Sequence, residues 1–333
     1  MMFRRSIYVI TLVALGNVGP AISQTRSQSQ AVQSFIAEMA DKHGFDRAEL
    51  QEVFGDTRFH PRIVELMNKQ TKRKPWDDYR SLFINNEKIT GGRRFWQSNH
   101  AQLALANEKY GVPEEIIVAV IGIETHYGRH TGQFKVLEAL TTLAFDYPKR
   151  ASLFRRELEH YLLLAREESM SLGDPLGSYA GAMGIAQFMP GSYRRYGVDF
   201  DGDGKRDLFD NTTDAIGSVA NYLTAHGWQR NEPVAAAAVL EGAHAEPPFE
   251  ASTLSTRYSL EELKRRGVTA PGAFPSTKRA IPLTLENRNG AEYWLGFDNF
   301  YVITRYNHST YYAMAVYQLS QELRKDREQA EAP

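Results

Sequence analysis

The 333-residue chain contains no cysteine. That absence excludes disulfides, a thiol nucleophile, a cysteine-based zinc site and a lipidated cysteine behind an export signal. The chain also lacks a charge imbalance. Its 39 Lys and Arg against 40 Asp and Glu leave a formal charge of −1, which gives no basic footprint for nucleic acid. Beyond the N-terminus no segment reads as transmembrane, because no apolar run approaches the length a bilayer demands. Nor is there an internal repeat. What remains is an ordinary globular composition, 42% hydrophobic and 24% charged, with room for one large domain or two to three lobes sharing a core.

The N-terminus, "MMFRRSIYVITLVALGNVGPAIS", places Arg4 and Arg5 before an apolar stretch from Ile7 to about Leu15, then small residues at Ala21-Ile22-Ser23. This is the layout of a secretory signal over 1–23, and the apolar run is too short to span a bilayer. Its removal takes away two arginines and leaves a mature charge of −3. With no lipidation cysteine, the expectation is an exported, soluble periplasmic protein, monomeric and without a membrane anchor.

A polar linker is expected over 24–30. From Ala31 to Tyr110 the apolar spacing is helical, with "AVQSFIAEMADKHG" and "RRFWQSNHAQLALANEKYG" both closing on a glycine. Pro113, Glu114 and Glu115 open the next helix, since proline suits a first turn and acids complement its dipole. "KRASLFRRELEHYLLLAREESM" and "TDAIGSVANYLTAHGW" read as further helices. Between about Asn231 and Tyr301, prolines, glycines and β-prone pieces such as "EYWLGFDNFYVI" point to a small β-rich lobe. Helix returns in "STYYAMAVYQLSQELRKDRE", and a charged tail is expected to fray over 323–333.

Three stretches carry chemistry. In "AVIGIETHYG" an apolar helix admits a carboxylate, Glu124, close to its end. Burial favours the neutral form of such a group, and a carboxylic acid that keeps its proton near neutral pH can serve as a general acid. In "GSYAGAMGIAQFMPGSYRRYG", the small residues Gly177, Ser178, Ala180, Gly181, Ala182 and Gly184 allow backbone to approach a ligand closely. Gln187 adds an amide there, and Phe188 with Met189 an apolar floor, a mixture suited to a sugar. In "DFDGDGKRDLFD", Asp199, Asp201 and Asp203 occupy positions one, three and five of a cation loop, with Gly204 at the sharp turn. Lys205 would add its backbone carbonyl, Asp207 stands at nine and Asp210 at twelve. An all-oxygen shell favours Ca²⁺. His126 and His130 have the spacing of helical zinc ligands, but Gly128 lies between them and the H-E-x-x-H order is missing.

"GIETHYG" followed by "GSYAGAMGIAQFMP" resembles the signature of bacterial lytic transglycosylases, in particular the family of membrane-bound lytic murein transglycosylase B. The resemblance runs from about Gln33 to Glu322. It implies a mainly α fold: a lysozyme-like core (about 111–230, with the EF-hand-like loop 199–210), an added helical lobe (about 31–110 plus the C-terminal helix) and a small β-rich lobe (about 231–301). It implies cleavage of the β-1,4 bond between N-acetylmuramic acid and N-acetylglucosamine in peptidoglycan, forming 1,6-anhydromuramoyl products. Glu124 is cast as acid and base, and Ser178 as partner to the N-acetyl group or the acid. Gln187, Phe188, Tyr79, Arg150, Tyr222, Tyr306, Asn307 and Tyr312 are cast as groove residues. The implied cofactors are none for catalysis and a structural Ca²⁺. The implied partners are glycan strands, together with wall-synthesis or remodelling enzymes. Lys149, Leu153 and the "GIAQF" sequence depart from the family's more usual residues and bear on subsite preference. A water-using muramidase and a silent glycan-binding scaffold are the alternatives.

Overall fold

The computed structural model describes residues 26–69, 74–241, 254 and 256–331, with backbone only for 26–29, 330 and 331. The expected export signal lies outside the described residues. The fold divides into two compact units, one holding the described parts of 74–127 and 219–331, the other those of 26–69 and 128–218.

The chain is mainly helical. The expected linker is helical from Arg26 onward, because α1 (Arg26–His43) takes in its polar residues. Next come α2 (Arg47–Gly55), α3 (Pro61–Asn68), α4 (Trp76–Phe83) and α5 (Asn86–Ser98). The segment read as one helix up to Tyr110 is two, since Asn99 leaves helical geometry at φ −125°, ψ 23° before α6 (His100–Tyr110). Then follow α7 (Glu114–Thr125), β1 (Phe134–Lys135), α8 (Val136–Asp146), the 3₁₀ turn Pro148–Arg150, α9 (Ala151–Glu167) and β2 (Leu176–Gly177). After α10 (Pro190–Tyr196) and α11 (Thr212–Ala225), the chain enters short strands and turns. These are β3 (Ala235–Ala237), β4 (Val239–Leu240), β5 (Tyr258–Ser259), α12 (Leu260–Arg265), β6 (Val268–Thr269), β7 (Arg279–Asn287) and β8 (Gly290–Gly296). Two helices close the chain, α13 (Asp298–Tyr306) and α14 (Thr310–Glu331). The charged tail is therefore helical to Glu331 instead of frayed. "EYWLGFDNFYVI" also divides: its first half is β8, while "DNFYVI" begins α13.

In the first unit, α7 is the buried axis. Every residue from Ile116 to Thr125 is buried, as expected of a helix apolar on all sides. The isoleucines alone contribute roughly 1.5–3 kcal/mol each. α14 and α5 pack on it and on each other. The same unit holds an antiparallel sheet in the order β3-β8-β7-β5, with β4 and β6 paired beside it. Leu263, Val268, Ala280, Leu295 and Phe297 form the apolar core of this β-rich lobe. Phe297 and Phe300 are fully buried there. In the second unit α8 packs along α9, while α1 and α3 also contact α8. There Phe154, Leu158, Tyr161, Leu162 and Leu164 turn inward.

Candidate active site

Glu124 lies in the last turn of α7, 8% exposed. The helix ends immediately beyond it. His126, at φ 53°, takes the left-handed conformation and returns its N–H to the Gly122 carbonyl at 3.1 Å. The acid thus stands where helical packing gives way to a turn. Burial raises its pKa from 4.5 to about 7, against a hydrogen bond from Tyr312 and the charge of Lys88, which both pull it down.

The phenols around Glu124 form a connected set within the first unit. The Tyr312 hydroxyl donates to Glu124 Oε1 at 2.5 Å. Burial, with the nearby carboxylate, pushes the Tyr312 phenol well above its usual range, so the phenol stays protonated and can donate whenever Glu124 is a carboxylate. Tyr306 stacks near-parallel to Tyr312 with ring centres 6.4 Å apart, and Tyr222 tilts against Tyr306 at 4.8 Å. Tyr222 is anchored because its hydroxyl donates to the Arg305 carbonyl at 2.7 Å. Tyr79 is buried between Trp76, Phe83 and Tyr311. Asn307 follows α13 and leaves its buried Oδ1 without a hydrogen-bond partner. The structure therefore brings Glu124, Tyr312, Tyr306 and Tyr222 into one cluster, with Tyr79 close enough to Tyr312 to oppose its ionisation.

The second unit carries the small-residue segment. Ser178 Oγ accepts the amides of Ala182 at 3.0 Å and Ala180 at 3.3 Å, which leaves its O–H to donate elsewhere. Met183 bridges both Gly177 and Phe188 in antiparallel fashion, folding the segment back on itself. Gln187 sits at φ 51°, a left-handed conformation uncommon for a residue with a Cβ. Its Nε2 donates to the carbonyls of Thr131 (2.8 Å) and Gly184 (3.0 Å). Its buried Oε1 has no partner. A strained residue offering an orphaned acceptor is what a ligand-binding position looks like. Phe188 is 2% exposed, and Arg150 ends the 3₁₀ turn before α9.

The acidic loop follows in the same unit. Among the described residues, carboxylate oxygens of Asp199, Asp201 and Asp203 lie within 4.8 Å of one another. Asp199 gathers the loop by accepting amides of Gly202 (2.7 Å), Asp203 (3.1 Å) and Gly204 (2.8 Å). Gly202 and Gly204, at φ 80° and 89°, make the turns that this wrapping requires. Three convergent carboxylates on a glycine turn form a hard oxygen donor set that fits Ca²⁺. Asp207 lies outside that cluster, and its carboxylate instead accepts the amides of Phe209 and Asp210. Asp214, outside the cation-loop register, clamps the loop. Fully buried, it accepts Phe200 N–H at 2.7 Å and Asp207 N–H at 2.8 Å, pinning both arms of the loop. An acid on the apolar face of "TDAIGSVANYL" was the available signal.

The profile of the transglycosylase SLT domain matches residues 27–321. The chain belongs to this family. Membrane-bound lytic murein transglycosylase B of Escherichia coli (strain K12) is 45% identical over 302 residues, 87% of this chain and 81% of that protein. Among solved structures, the soluble lytic transglycosylase SltB1 of Pseudomonas aeruginosa aligns with a TM-score of 0.85 at 44% identity, covering 90% of this chain and 99% of that one. The Escherichia coli lytic transglycosylase Slt35 in complex with calcium aligns at 0.83 and 44% identity, covering 89% and 93%. This transglycosylase SLT chain accordingly has the expected fold class: mainly α, with a lysozyme-like core, an added helical lobe and a small β-rich lobe.

Proposed function

We propose that the protein is a peptidoglycan lytic transglycosylase whose chemistry rests on Glu124 as the single acid and base. The observation that carries this reading is a carboxyl group at the end of an apolar helix, 8% exposed and pushed up to about 7, inside a chain of the transglycosylase SLT domain family. A group with that pKa is substantially protonated at neutral pH and can also serve as a carboxylate, so one residue can give and then take a proton.

In the first step the proton on Glu124 passes to the glycosidic oxygen, the bond from the muramoyl anomeric carbon breaks, and the N-acetylglucosamine side leaves with a 4-hydroxyl. In the second, the Glu124 carboxylate takes the proton of the muramoyl 6-hydroxyl while that oxygen bonds to the same anomeric carbon. Atoms balance without water, and the product ends in a 1,6-anhydro ring. An internal hydroxyl reacts at a high effective concentration, so no second carboxylate is required to activate water. The groups acting on the charge of Glu124 fit that economy, being a phenol and an ammonium with no second acid among them. Ser178, Gln187, Phe188, Arg150, Tyr79, Tyr222, Tyr306, Asn307 and Tyr312 are proposed as glycan-binding positions. The orphaned acceptors of Gln187 and Asn307 are the support for those two.

Mass analysis of products from purified sacculi decides the reaction. Anhydromuropeptides with no water added are expected, and products one water heavier would make the enzyme a hydrolytic muramidase. Binding to sacculi without turnover would make it a scaffold.

We further propose Asp199, Asp201, Asp203, the Lys205 carbonyl, Asp207 and Asp210 as holders of a structural Ca²⁺, which would neutralise the loop's charge and take no part in the chemistry. Since a ligand bound only by the folded state stabilises it, millimolar Ca²⁺ should raise the melting temperature above that in chelator. Identical melting curves would count against the site. Export to the periplasm is proposed from residues 1–23. Among the described residues no helix is long and apolar enough to cross a membrane.

A further inference from the structure

The scheme above leaves one half-buried cation without a role. Lys88 occupies the first turn of α5, where the Asn85 side chain caps the helix by accepting the Lys88 backbone N–H at 3.0 Å. Its Nζ crosses to α7 and donates to the Gly122 carbonyl at 2.5 Å. That carbonyl belongs to the last turn of the helix, two residues before Glu124. A cation there adds a second donor to a carbonyl that already accepts the His126 N–H, and it complements the negative end of the helix dipole.

The position of Lys88 is held from the other side as well. The Tyr127 hydroxyl donates back to the Lys88 carbonyl at 2.7 Å. The Tyr127 ring lies in a slot made by glycines. A Cβ on Gly91, Gly92 or Gly122 would come within 2.9, 2.6 or 2.6 Å of its atoms. Two helices are thus tied by reciprocal bonds, an amine to one backbone and a phenol to the other.

Helices α4, α5, α11, α13 and α14 and the turn after α7 supply the charged and titratable neighbours of Glu124. From α14 comes Tyr312, with Tyr79 of α4 acting on it. From α13 comes Tyr306, with Tyr222 of α11 behind it. Burial pushes the phenols of Tyr306 and Tyr312 well above the usual range and keeps them neutral. At the end of α7 stand Tyr127, whose phenol burial also pushes up, and His126, which pairs with the exposed Glu87 at 3.4 Å. α5 supplies Glu87 and Lys88. Of these groups, Lys88 is the cation that acts on the acid.

We propose that Lys88 is a positioning residue for the reaction, its ammonium holding the last turn of α7 while favouring the carboxylate form of Glu124. Burial alone drives a carboxyl group toward a neutral state that surrenders its proton poorly, and a residue that must both give and take a proton works best when the two forms are close in energy. Burial raises Glu124 and Lys88 opposes that rise. Burial lowers the amine itself to about 8, and the Glu124 charge opposes that fall.

The inference rests on Glu124 being the acid, so its test reads the carboxyl group directly instead of turnover. Titrating the ¹³C-labelled Glu124 carboxyl by NMR, assigned with a Glu124→Gln sample, gives its midpoint in each full-length variant. Lys88→Gln keeps a donor for the Gly122 carbonyl but removes the charge, and should move the midpoint up by about half a pH unit or more. Lys88→Met removes both donor and charge and should give the same upward shift. Lys88→Arg keeps the charge and should stay near the wild-type midpoint. The alkaline limb of anhydromuropeptide release at low substrate should follow these shifts. A midpoint unmoved in the Gln and Met variants, or one displaced as far by Arg as by Gln, overturns the assignment. Failure of the acid reading itself shows separately, as retained activity in Glu124→Gln.

Discussion

Replacing Glu124 by Gln lowers anhydromuropeptide release by at least ~10³-fold, because both proton transfers pass through one side chain and each is worth roughly 10²–10⁴. The same substitution should make the protein harder to unfold at pH 8. Burial raises the folded-state pKa of Glu124 from 4.5 to about 7, so between those values the folded chain binds a proton that the unfolded chain has released. Wild-type stability therefore carries this contribution in full at low pH and loses it as pH rises through about 7. The cost at pH 8 is on the order of 3 kcal/mol. A neutral amide escapes it. The advantage of the Gln variant should appear above pH 5 and grow toward neutrality, as read by urea midpoints at several pH values. A variant both inactive and no less stable separates chemistry from folding, whereas wild-type release would remove Glu124 from the mechanism.

Gly184→Ala should cost about 2–5 kcal/mol, combining left-handed strain with a steric collision. Gly184 lies at φ 67°, and a Cβ there would stand 2.2 Å from the Leu208 carbonyl oxygen. That oxygen accepts the Ile185 N–H at 2.7 Å, so the collision strikes the bond joining the small-residue segment to the end of the acidic loop. Gln187 depends on the same turn, since its Nε2 donates to the Gly184 carbonyl. The urea midpoint should fall clearly and release from sacculi should fall with it. An unchanged midpoint would show that the segment has space it does not display here.

How much of this was legible beforehand differs by feature. Glu124 could be read because a single acid in an unbroken apolar helix violates the local pattern, and such violations concentrate at functional sites. The Asp199, Asp201 and Asp203 register was readable because a cation loop places its ligands by sequence alone. Tyr312, Tyr306 and Tyr222 became candidates through the family resemblance, since they lie about 100–190 residues downstream of the acid and no periodicity links them to it. Lys88 was illegible for a different reason. In sequence it is one more lysine in a polar first turn, and its role depends on how α5 lies against α7. Asp214 was passed over because an acid in the first turn of a helix is ordinarily a favourable dipole partner, not a clamp. The helical state of the polar stretch from Arg26 and of the charged end to Glu331 shows composition underestimating helix. Polar residues such as Arg, Glu, Lys and Gln are good helix formers whenever a neighbouring turn has already nucleated.

The most direct measurement is the titration midpoint of the Glu124 carboxyl group in the unmodified protein. A midpoint near 7 is the predicted result, marking a side chain that holds its proton until a glycosidic oxygen takes it. A midpoint near 4.5, the value of an ordinary exposed glutamate, would contradict the account at its centre.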